Sequence, residues 1–377
     1  MKKVLKVVGI ILLVLVVLII GTIFYLRYHI THIKDSHDLQ AQVDAIGNNF
    51  IQKKFAPGIC VGIVKGNTVM IKGYGMTNKN GGQIPDSNTI FEIGSITKVF
   101  TAEITQRLVD DGLLHWNDNI QAVLPDSAKL KFDDSTTLLN LVNHTSGFAR
   151  IPDSILALLT NECDPYSTLT NADIARYLKR CTDKKSPDLH HYDYSNFGSA
   201  LLANIDEYRT GKSYETLLQE LICFPLHMSH TSLFVKDSSK FATGYDEKGN
   251  RTCHWNFGAM YGCGAIRSDI ADMIKFLKAN MDSNNLLYNS FHKTHRETAL
   301  IPTGGIAYGW HIDKVNGVFS GIFNIIWHNG GTGGFRSYMG FDPKRKTGVI
   351  VIANQATDEV DRAGIDILIK ACTTSWQ

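Results

Sequence analysis

The 377-residue sequence lacks the patterns of several common protein classes. It has no block of basic residues, and 38 Lys and Arg nearly balance 36 Asp and Glu, so nothing in its charge favours a nucleic-acid partner. It has no low-complexity linker and no internal repeat. Its 44% hydrophobic and 20% charged residues are typical of a globular chain. Disordered and fibrous proteins are therefore excluded.

Several familiar motifs of metal, phosphate and serine chemistry are missing as well. The sequence has no H-E-x-x-H zinc pair and no G-x-S-x-G turn around a nucleophilic serine. Gly211-Lys212-Ser213 resembles the end of a phosphate-binding loop, but Asp206 stands where the first glycine of that loop belongs. This segment fits a turn between two helices better. We therefore expect no metal and no cofactor.

The first 35 residues differ in character from the rest of the chain. Three lysines within the first six residues precede an uncharged apolar stretch over 7–26, which as a helix matches the hydrocarbon core of a bilayer. The stretch ends without a small-residue cleavage site, and the lysines favour a cytoplasmic N-terminus. We predict an uncleaved transmembrane helix within 1–35 that anchors the protein in the cell membrane by a single pass, with 36–377 on the extracytoplasmic side.

The seven cysteines are scattered and form no C-x-x-C pair. Because their number is odd, at least one has no partner within the chain. An exported location would permit disulfides, but spacing does not give their connectivity. For Cys60 and Cys223 we predict the role of small buried hydrophobic residues.

Strand patterns lie at both ends of the domain, and helical patterns lie between them. The turn Gly66-Asn67 separates two β-rich runs and predicts a hairpin. Strands are predicted at 58–65, 68–74, 322–327, 334–341 and 347–353, and helices at 154–159, 172–178, 214–222 and 359–372. The pattern predicts an α/β (α+β) fold, in which one antiparallel sheet from the N- and C-terminal segments is flanked by helices and carries a helical insertion. We assign 36–130 and 245–377 to the α/β lobe and 131–244 to the mainly helical lobe.

Ser95 is the first candidate for catalysis. Hydrophobic residues recur at helical spacing after it, which places Ser95 at a helix start and Lys98 on the same face. A serine hydroxyl is a weak nucleophile until a base takes its proton, and an amine three residues on can reach it. The helix N-terminus favours developing negative charge. Ser290 and Lys293 have the same spacing, but without a preceding turn glycine, and fit an ordinary loop or helix edge.

Two further segments carry possible chemistry. Tyr194 and Asn196 lie at a loop-to-helix junction, where a phenol can shuttle a proton and an amide can hold a substrate carbonyl. In the segment 327–335, a predicted strand ends in glycines. The backbone N–H groups of such glycines can approach a ligand and form an oxyanion hole. Taken alone, these segments equally fit a packed tyrosine, a capping asparagine and a glycine turn.

In this order, the three segments resemble the motifs of the serine β-lactamase and penicillin-binding protein superfamily, and most closely its class C β-lactamase-like branch. The segments 141–147 and 225–228 also look like landmarks of that family. The resemblance extends from about residue 50 to the C-terminus. It implies a β-lactamase/transpeptidase-like fold and a serine hydrolase that forms an acyl-enzyme.

The resemblance also implies roles for individual residues. Ser95 resembles the acylated nucleophile, Lys98 the adjacent base, and Tyr194 the group that activates Ser95 or protonates the leaving group. Asn196 is similar to the contact for the substrate amide. The oxyanion hole of the family corresponds to the backbone N–H groups of Ser95 and Gly331.

The third segment departs from the family pattern. His328-Asn329-Gly330 stands where β-lactamases usually have Lys-Thr-Gly, while the literal Lys346-Thr347-Gly348 has the turn residues of a hairpin corner. We place His328, Gly330 and Gly331 at the substrate. A histidine that titrates near neutral pH is a weaker partner for a substrate carboxylate than lysine, so we expect activity to titrate with His328.

Two further residues, in or near the segments named above, have two possible roles each. Arg336 is either the missing cation or a solvated surface residue, and Tyr261 is either a substrate contact or a packed ring.

The predicted protein is thus a membrane-anchored, β-lactamase-related serine hydrolase, resembling DD-peptidases and penicillin-binding proteins, that acts on an amide, ester or lactam carbonyl. Its candidate substrates are D-amino-acid peptides, esters and β-lactams, with efficient β-lactam hydrolysis placed in doubt by His328. The alternatives are an esterase or D-aminopeptidase of the same fold, or a non-catalytic protein that binds envelope peptides.

Overall fold

A computed structural model describes residues 38–131, 134–188, 190–301, 304–317 and 321–374. The predicted anchor over 1–35 lies outside these residues. Within the ranges described, no helix combines the length and the apolar character needed to cross a membrane.

An eight-stranded antiparallel sheet forms the centre of the described fold, in the order β2-β1-β10-β9-β8-β7-β6-β5. A separate short pair joins β3 to β4. The strands are β1 (Gly58–Lys65), β2 (Thr68–Gly75), β3 (Phe91–Glu92), β4 (Arg267–Ser268), β5 (Ala299–Ile301), β6 (Gly304–Ile306), β7 (His311–Gly317), β8 (Gly321–Gly331), β9 (Arg336–Asp342) and β10 (Thr347–Ala353). Because β1 pairs with β10, the two ends of the domain close one sheet, which confirms the predicted antiparallel sheet of N- and C-terminal segments.

Helices flank the sheet and fill the middle of the chain. They are α1 (Leu39–Gln52), α2 (Thr97–Asp110), α3 (Ile120–Val123), α4 (Leu138–Val142), α5 (Asp153–Leu156), α6 (Asn171–Arg180), α7 (Asn196–Thr210), α8 (Tyr214–Leu218), α9 (Phe224–Leu226), α10 (Ile270–Met281), α11 (Tyr288–Thr294) and α12 (Glu359–Thr373). The lobe boundaries at 130/131 and 244/245 stay predictions.

The two faces of the sheet bury different helices, because side chains alternate along a strand. Ile59, Val61 and Ile63 of β1 face the cluster that contains α1 and α12. On the opposite face, Gly62 lies against α10, and a Cβ atom at Gly62 would come within 2.7 Å of the Ile270 side chain. Glycine therefore lets α10 pack closely on the sheet.

The helical part of the chain has its own apolar cluster, built from α2, α4, α6 and α7. The Phe148 and Phe197 rings lie 5.1 Å apart, and the Tyr177 ring packs edge-on against Phe197 at 4.8 Å. This cluster supports the start of α7, where the predicted residues Tyr194 and Asn196 lie.

The predicted elements agree with the structure where the sequence pattern is strongly apolar. The hairpin turns at Gly66-Asn67, and β10 has the predicted bounds. The strand predicted at 322–327 continues to Gly331, so the glycines belong to β8. Strands β5, β6 and β7 were not predicted. β5 and β6 have only three residues each, and in β7 Asp313 and Lys314 interrupt any apolar alternation.

A disulfide between Cys163 and Cys253 joins two loops 90 residues apart in sequence, with a Cα–Cα distance of 5.5 Å. Next to it, Asp164 accepts hydrogen bonds from the backbone N–H and the side-chain amide of Asn256. Cys60 and Cys223 are fully buried, as predicted for small hydrophobic residues. The disulfide ties the loop before α6 to the loop that follows residue 250.

We expect replacement of both Cys163 and Cys253 by serine to lower the free energy of unfolding by about 2–5 kcal/mol, because the reduced chain gains conformational freedom when unfolded. Urea unfolding of the domain measures this loss. Cys372→Ser, at a half-buried free cysteine, is the matched control and should change it by much less. Equal stability of the double variant and the control would contradict the disulfide.

Candidate active site

Ser95 lies on a tight turn between β3 and α2. Gly94 has a φ of 52°, which favours glycine, and a Cβ atom there would lie 2.5 Å from the backbone nitrogen of Gly331. The 3₁₀ turn Gly94–Ile96 then leads directly into α2. The glycine before the serine therefore serves both the turn and the close approach of β8.

Lys98 contacts Ser95 directly. Its Nζ lies 3.0 Å from Ser95 Oγ and donates a hydrogen bond of 2.7 Å to the carbonyl oxygen of Cys263. The lysine side chain is buried, with 2% of the residue exposed, whereas Ser95 is partly exposed. The carbonyl group of Cys263 thus holds the Lys98 amine against the Ser95 hydroxyl, while Ser95 itself stays accessible to a substrate.

Tyr194 completes the predicted group. The centre of its ring lies 4.8 Å from Lys98 Nζ, and both Ser95 and Tyr194 line the same cleft of about 500 Å³. The structure therefore brings Ser95, Lys98 and Tyr194 together, although 99 residues separate the serine from the tyrosine. Their individual catalytic roles stay predictions.

The glycines of β8 pack against the serine turn. A Cβ atom at Gly330 would lie 2.0 Å from the carbonyl oxygen of Ile93 and 2.9 Å from the backbone nitrogen of Ser95. Ser337, opposite Gly330 on β9, donates a hydrogen bond of 2.8 Å to the same Ile93 carbonyl. This approach places the backbone of Gly330 and Gly331 beside the Ser95 amide. The oxyanion hole itself stays a prediction.

Asn196 lies at the start of α7 and lines the cleft. It is buried, and its side-chain oxygen has no hydrogen-bond partner among the described residues. The hydroxyl group of Thr332, which is also buried in the cleft wall, likewise has no hydrogen-bond partner among the described residues. Buried polar atoms without partners are costly, so both groups fit contacts to a bound substrate.

His328 is placed differently from the expectation. It is 1% exposed and lies outside the cleft lining, and its Nδ1 contacts the carbonyl oxygen of Asn329 at 2.5 Å. Burial is the largest cause that lowers its pKa well below the ordinary 6.5, and electrostatic repulsion between the protonated imidazole and the basic groups of His311 and Lys98 adds to it. The expectation that His328 titrates near neutral pH is therefore wrong, because the buried imidazole stays neutral there.

Arg336 lines the cleft, but two carboxylates already neutralise it. Its guanidinium lies 2.7 Å from Asp361 and 3.0 Å from Asp358. Asn329, also in the lining, donates a hydrogen bond to Asp361 as well. Arg336 is therefore neither a solvated surface residue nor an unpaired cation.

Tyr261 is a packed residue in this structure. Its hydroxyl donates a hydrogen bond to Glu207 and accepts one from the side-chain amide of Asn204. Its ring packs 5.2 Å from that of Tyr214, and it is not part of the cleft lining. Of the two open roles, the structure favours packing.

The two competing motifs lie elsewhere. Ser290 and Lys293 belong to α11, where Lys293 pairs with Asp110 at 2.7 Å and neither residue lines the cleft. Lys346 adopts a left-handed φ of 48° in the turn before β10, as predicted for a hairpin corner.

His144 is a functional candidate that the sequence analysis treated only as part of a family landmark. Its carbonyl accepts a hydrogen bond of 2.9 Å from the backbone N–H of Asp193, and its Nδ1 accepts one of 3.2 Å from that of Ser195. Its ring packs 4.5 Å from that of Tyr194. His144 therefore holds the backbone on both sides of Tyr194.

The backbone of His144 itself is unusual. Its φ of 62° lies in the left-handed region, which residues other than glycine seldom adopt, with asparagine, aspartate and histidine the commonest exceptions. Burial lowers the pKa of the imidazole well below 6.5, which keeps Nδ1 free to accept the Ser195 hydrogen bond. The signal in the sequence was a histidine within 141–147, but only the fold shows which residue it positions.

The sheet with its flanking helices holds the Ser95–Lys98 contact in an open cleft, an arrangement suited to an activated serine. The chain belongs to the Beta-lactamase family, whose sequence profile matches residues 44–371.

Similar proteins agree with this assignment. Protein flp of Staphylococcus aureus strain MRSA252 is 27% identical over 349 residues, which cover 87% of this chain and 65% of flp; the chain thus spans less than two thirds of that relative. The D-alanyl-D-alanine-carboxypeptidase/endopeptidase AmpH of Escherichia coli K12 is 26% identical over 332 residues, or 83% of each chain. A solved class C β-lactamase superposes with a TM-score of 0.77 at 23% identity, over 91% of this chain and 99% of that one.

We expect the pH–rate profiles of the wild type and His328→Asn to have the same shape between about pH 6.5 and 8, because the imidazole is neutral throughout. Below pH 6.5 the unfolded state takes up a proton that folded His328 does not, so wild-type stability falls relative to the variant by about 1.4 kcal/mol per pH unit. Denaturant unfolding at several pH values measures this difference. A titration near neutral pH that only the wild type shows would contradict a neutral His328.

We expect His144→Ala to lower kcat/KM for ester hydrolysis about tenfold or more, because Tyr194 loses its support. His144→Asn should recover part of the activity, since asparagine tolerates a positive φ and offers an acceptor oxygen. A double-mutant cycle with Tyr194→Phe identifies the cause. If His144→Ala costs as much in the Tyr194→Phe background as in the wild type, His144 does not act through Tyr194.

Proposed function

We propose that this protein is an exported, N-terminally anchored serine hydrolase that acts through an acyl-enzyme at Ser95, with D-amino-acid peptides or related amides and esters as substrates. The observation that carries the proposal is the 3.0 Å contact between Ser95 Oγ and the buried Lys98 Nζ inside an open cleft. A protein that only binds peptides has no need to place a buried amine against a partly exposed hydroxyl.

The geometry supports the following reaction. Ser95 Oγ attacks the substrate carbonyl carbon while its proton passes to Lys98 or Tyr194, and the backbone N–H groups of Ser95 and Gly331 hold the oxyanion. The C–N or C–O bond then breaks, and the leaving group takes up this same proton, which reaches it through Tyr194. Water, deprotonated by the same groups, releases the acid and restores the Ser95 hydroxyl.

The neighbourhood of β8 bears on the choice of substrate. β8 itself contains no lysine or arginine, its His328 is neutral, and Arg336 on the neighbouring β9 is paired with two carboxylates. This weakens the case for efficient β-lactam hydrolysis and supports peptides or esters. The name of AmpH, a carboxypeptidase/endopeptidase for D-alanyl-D-alanine, favours peptides, whereas the lack of a cation at β8 favours an esterase as the second candidate.

The disulfide supports an exported location. Disulfides persist in oxidising surroundings and are rare in the cytosol, and Cys163–Cys253 joins loops far apart in sequence. Together with the apolar run at 7–26, this supports a domain held outside the cytoplasm by an N-terminal helix.

We expect a fluorescent fluorophosphonate, with fluorescent penicillin as a second probe, to label the wild type at Ser95, because both acylate or phosphonylate an activated serine. Labelling should vanish in Ser95→Ala and persist in Ser290→Ala, the matched control with the same motif spacing outside the cleft. Peptide mass spectrometry locates the adduct. Equal labelling of Ser95→Ala and the wild type would remove the catalytic proposal.

A further inference from the structure

Several basic side chains lie in or beside the cleft, but most of them are buried, paired with carboxylates or neutral. Lys98 is buried against Ser95, and Arg336 is paired with two carboxylates. His311 also lines the cleft, but burial lowers its pKa to about 4, so it is neutral at physiological pH. These three groups therefore offer no free positive charge to a substrate.

Arg150 is the exception in the cleft wall. It is exposed, lines the cleft, and its guanidinium carbon lies 5.1 Å from the centre of the Tyr194 ring. Within the described ranges, no carboxylate approaches this guanidinium within 4 Å. Arg150 thus presents an unpaired charge to the same space that Ser95 and Tyr194 face.

The backbone of Arg150 is held in place at the site. Its carbonyl oxygen accepts hydrogen bonds of 3.0 Å and 3.1 Å from the backbone N–H groups of Asn196 and Phe197, at the start of α7. The loop that carries Arg150 is therefore fixed to the helix that carries the predicted substrate contact Asn196. Less ordering is needed when the guanidinium binds a ligand.

Apart from Arg150 and Arg336, the charged side chains in the described cleft lining are acidic. They are Glu247 and Asp358, and the single positive charge of Arg336 is already paired with Asp358 and Asp361. A substrate carboxylate is disfavoured at this acidic wall and favoured at Arg150, because a guanidinium forms short, charge-assisted and often bidentate hydrogen bonds to carboxylates.

We propose that Arg150 binds a carboxylate on the leaving-group side of the substrate, in place of the cation that β8 lacks. The inference rests on the proposed function, since it takes Tyr194, the ring beside Arg150, as the donor to the leaving group. It selects amides or esters whose leaving group is an acid, such as a peptide with a free C-terminal residue.

Two esters with matched leaving groups test this inference. The acetyl esters of 4-nitrophenol and of 5-hydroxy-2-nitrobenzoic acid differ by one carboxylate on the released phenol. We compare the ratio of kcat/KM for the acidic ester to that for the neutral ester in the wild type, Arg150→Gln, Arg150→Lys and Arg180→Gln. Arg180, exposed on α6 and outside the cleft, is the matched control.

We expect the wild type to prefer the acidic ester and Arg150→Gln to lower the ratio about tenfold or more. Arg150→Lys should lie between them, because an ammonium lacks the bidentate geometry, and the control should keep the wild-type ratio. A wild type without preference, or equal losses on both esters in Arg150→Gln, overturns the inference. Fluorophosphonate labelling of Ser95 separates the failure of this inference from the failure of the proposed function. If Arg150→Gln keeps both the label and the wild-type ratio, only the role of Arg150 fails. A wild type that takes no label overturns the proposed function.

Discussion

The whole site depends on the close approach of two backbone segments. The turn at Gly94 and the end of β8 at Gly330 lie so near each other that a Cβ atom at either glycine would collide with the opposite backbone. This approach places Ser95 at the start of α2 and beside the backbone of β8. Because β8 lies inside an eight-stranded sheet closed by both ends of the domain, the position of the serine is set by the packing of the entire α/β lobe.

The electrostatics of the cleft follow from burial more than from residue type. His144, His311 and His328 are basic by composition, yet burial keeps all three neutral at physiological pH. Two carboxylates likewise match the charge of Arg336. Lys98 is the buried basic group that contacts Ser95, while Arg150 presents its charge to the open cleft. The site therefore separates the group suited to proton transfer from the group suited to hold an anion.

The sequence predicted the parts of the fold in which local pattern and tertiary environment agree. The β1–β2 hairpin and β10 are apolar and bounded by turn residues, so their bounds were readable. By contrast, β7 contains charged residues and takes its place by pairing with β8, which no local pattern reveals. The same holds for His328, whose titration was misjudged because a strand position does not show whether its side chain is buried. The supporting role of His144 was overlooked because it depends on two hydrogen bonds from backbone N–H groups on either side of Tyr194, which are distant from His144 in sequence.

By itself, the sequence determined the residue types that the chemistry needs: a serine and a lysine one helical turn apart, a tyrosine and an asparagine at a helix start, and glycines at the end of a strand. These follow from short-range spacing, which helices and turns translate directly into geometry. The tertiary structure decided which serine–lysine pair lies in a cleft, which cysteines meet, and which basic side chains keep an available charge. Those outcomes depend on burial and on contacts between residues far apart in the chain, and spacing along the chain carries no information about either.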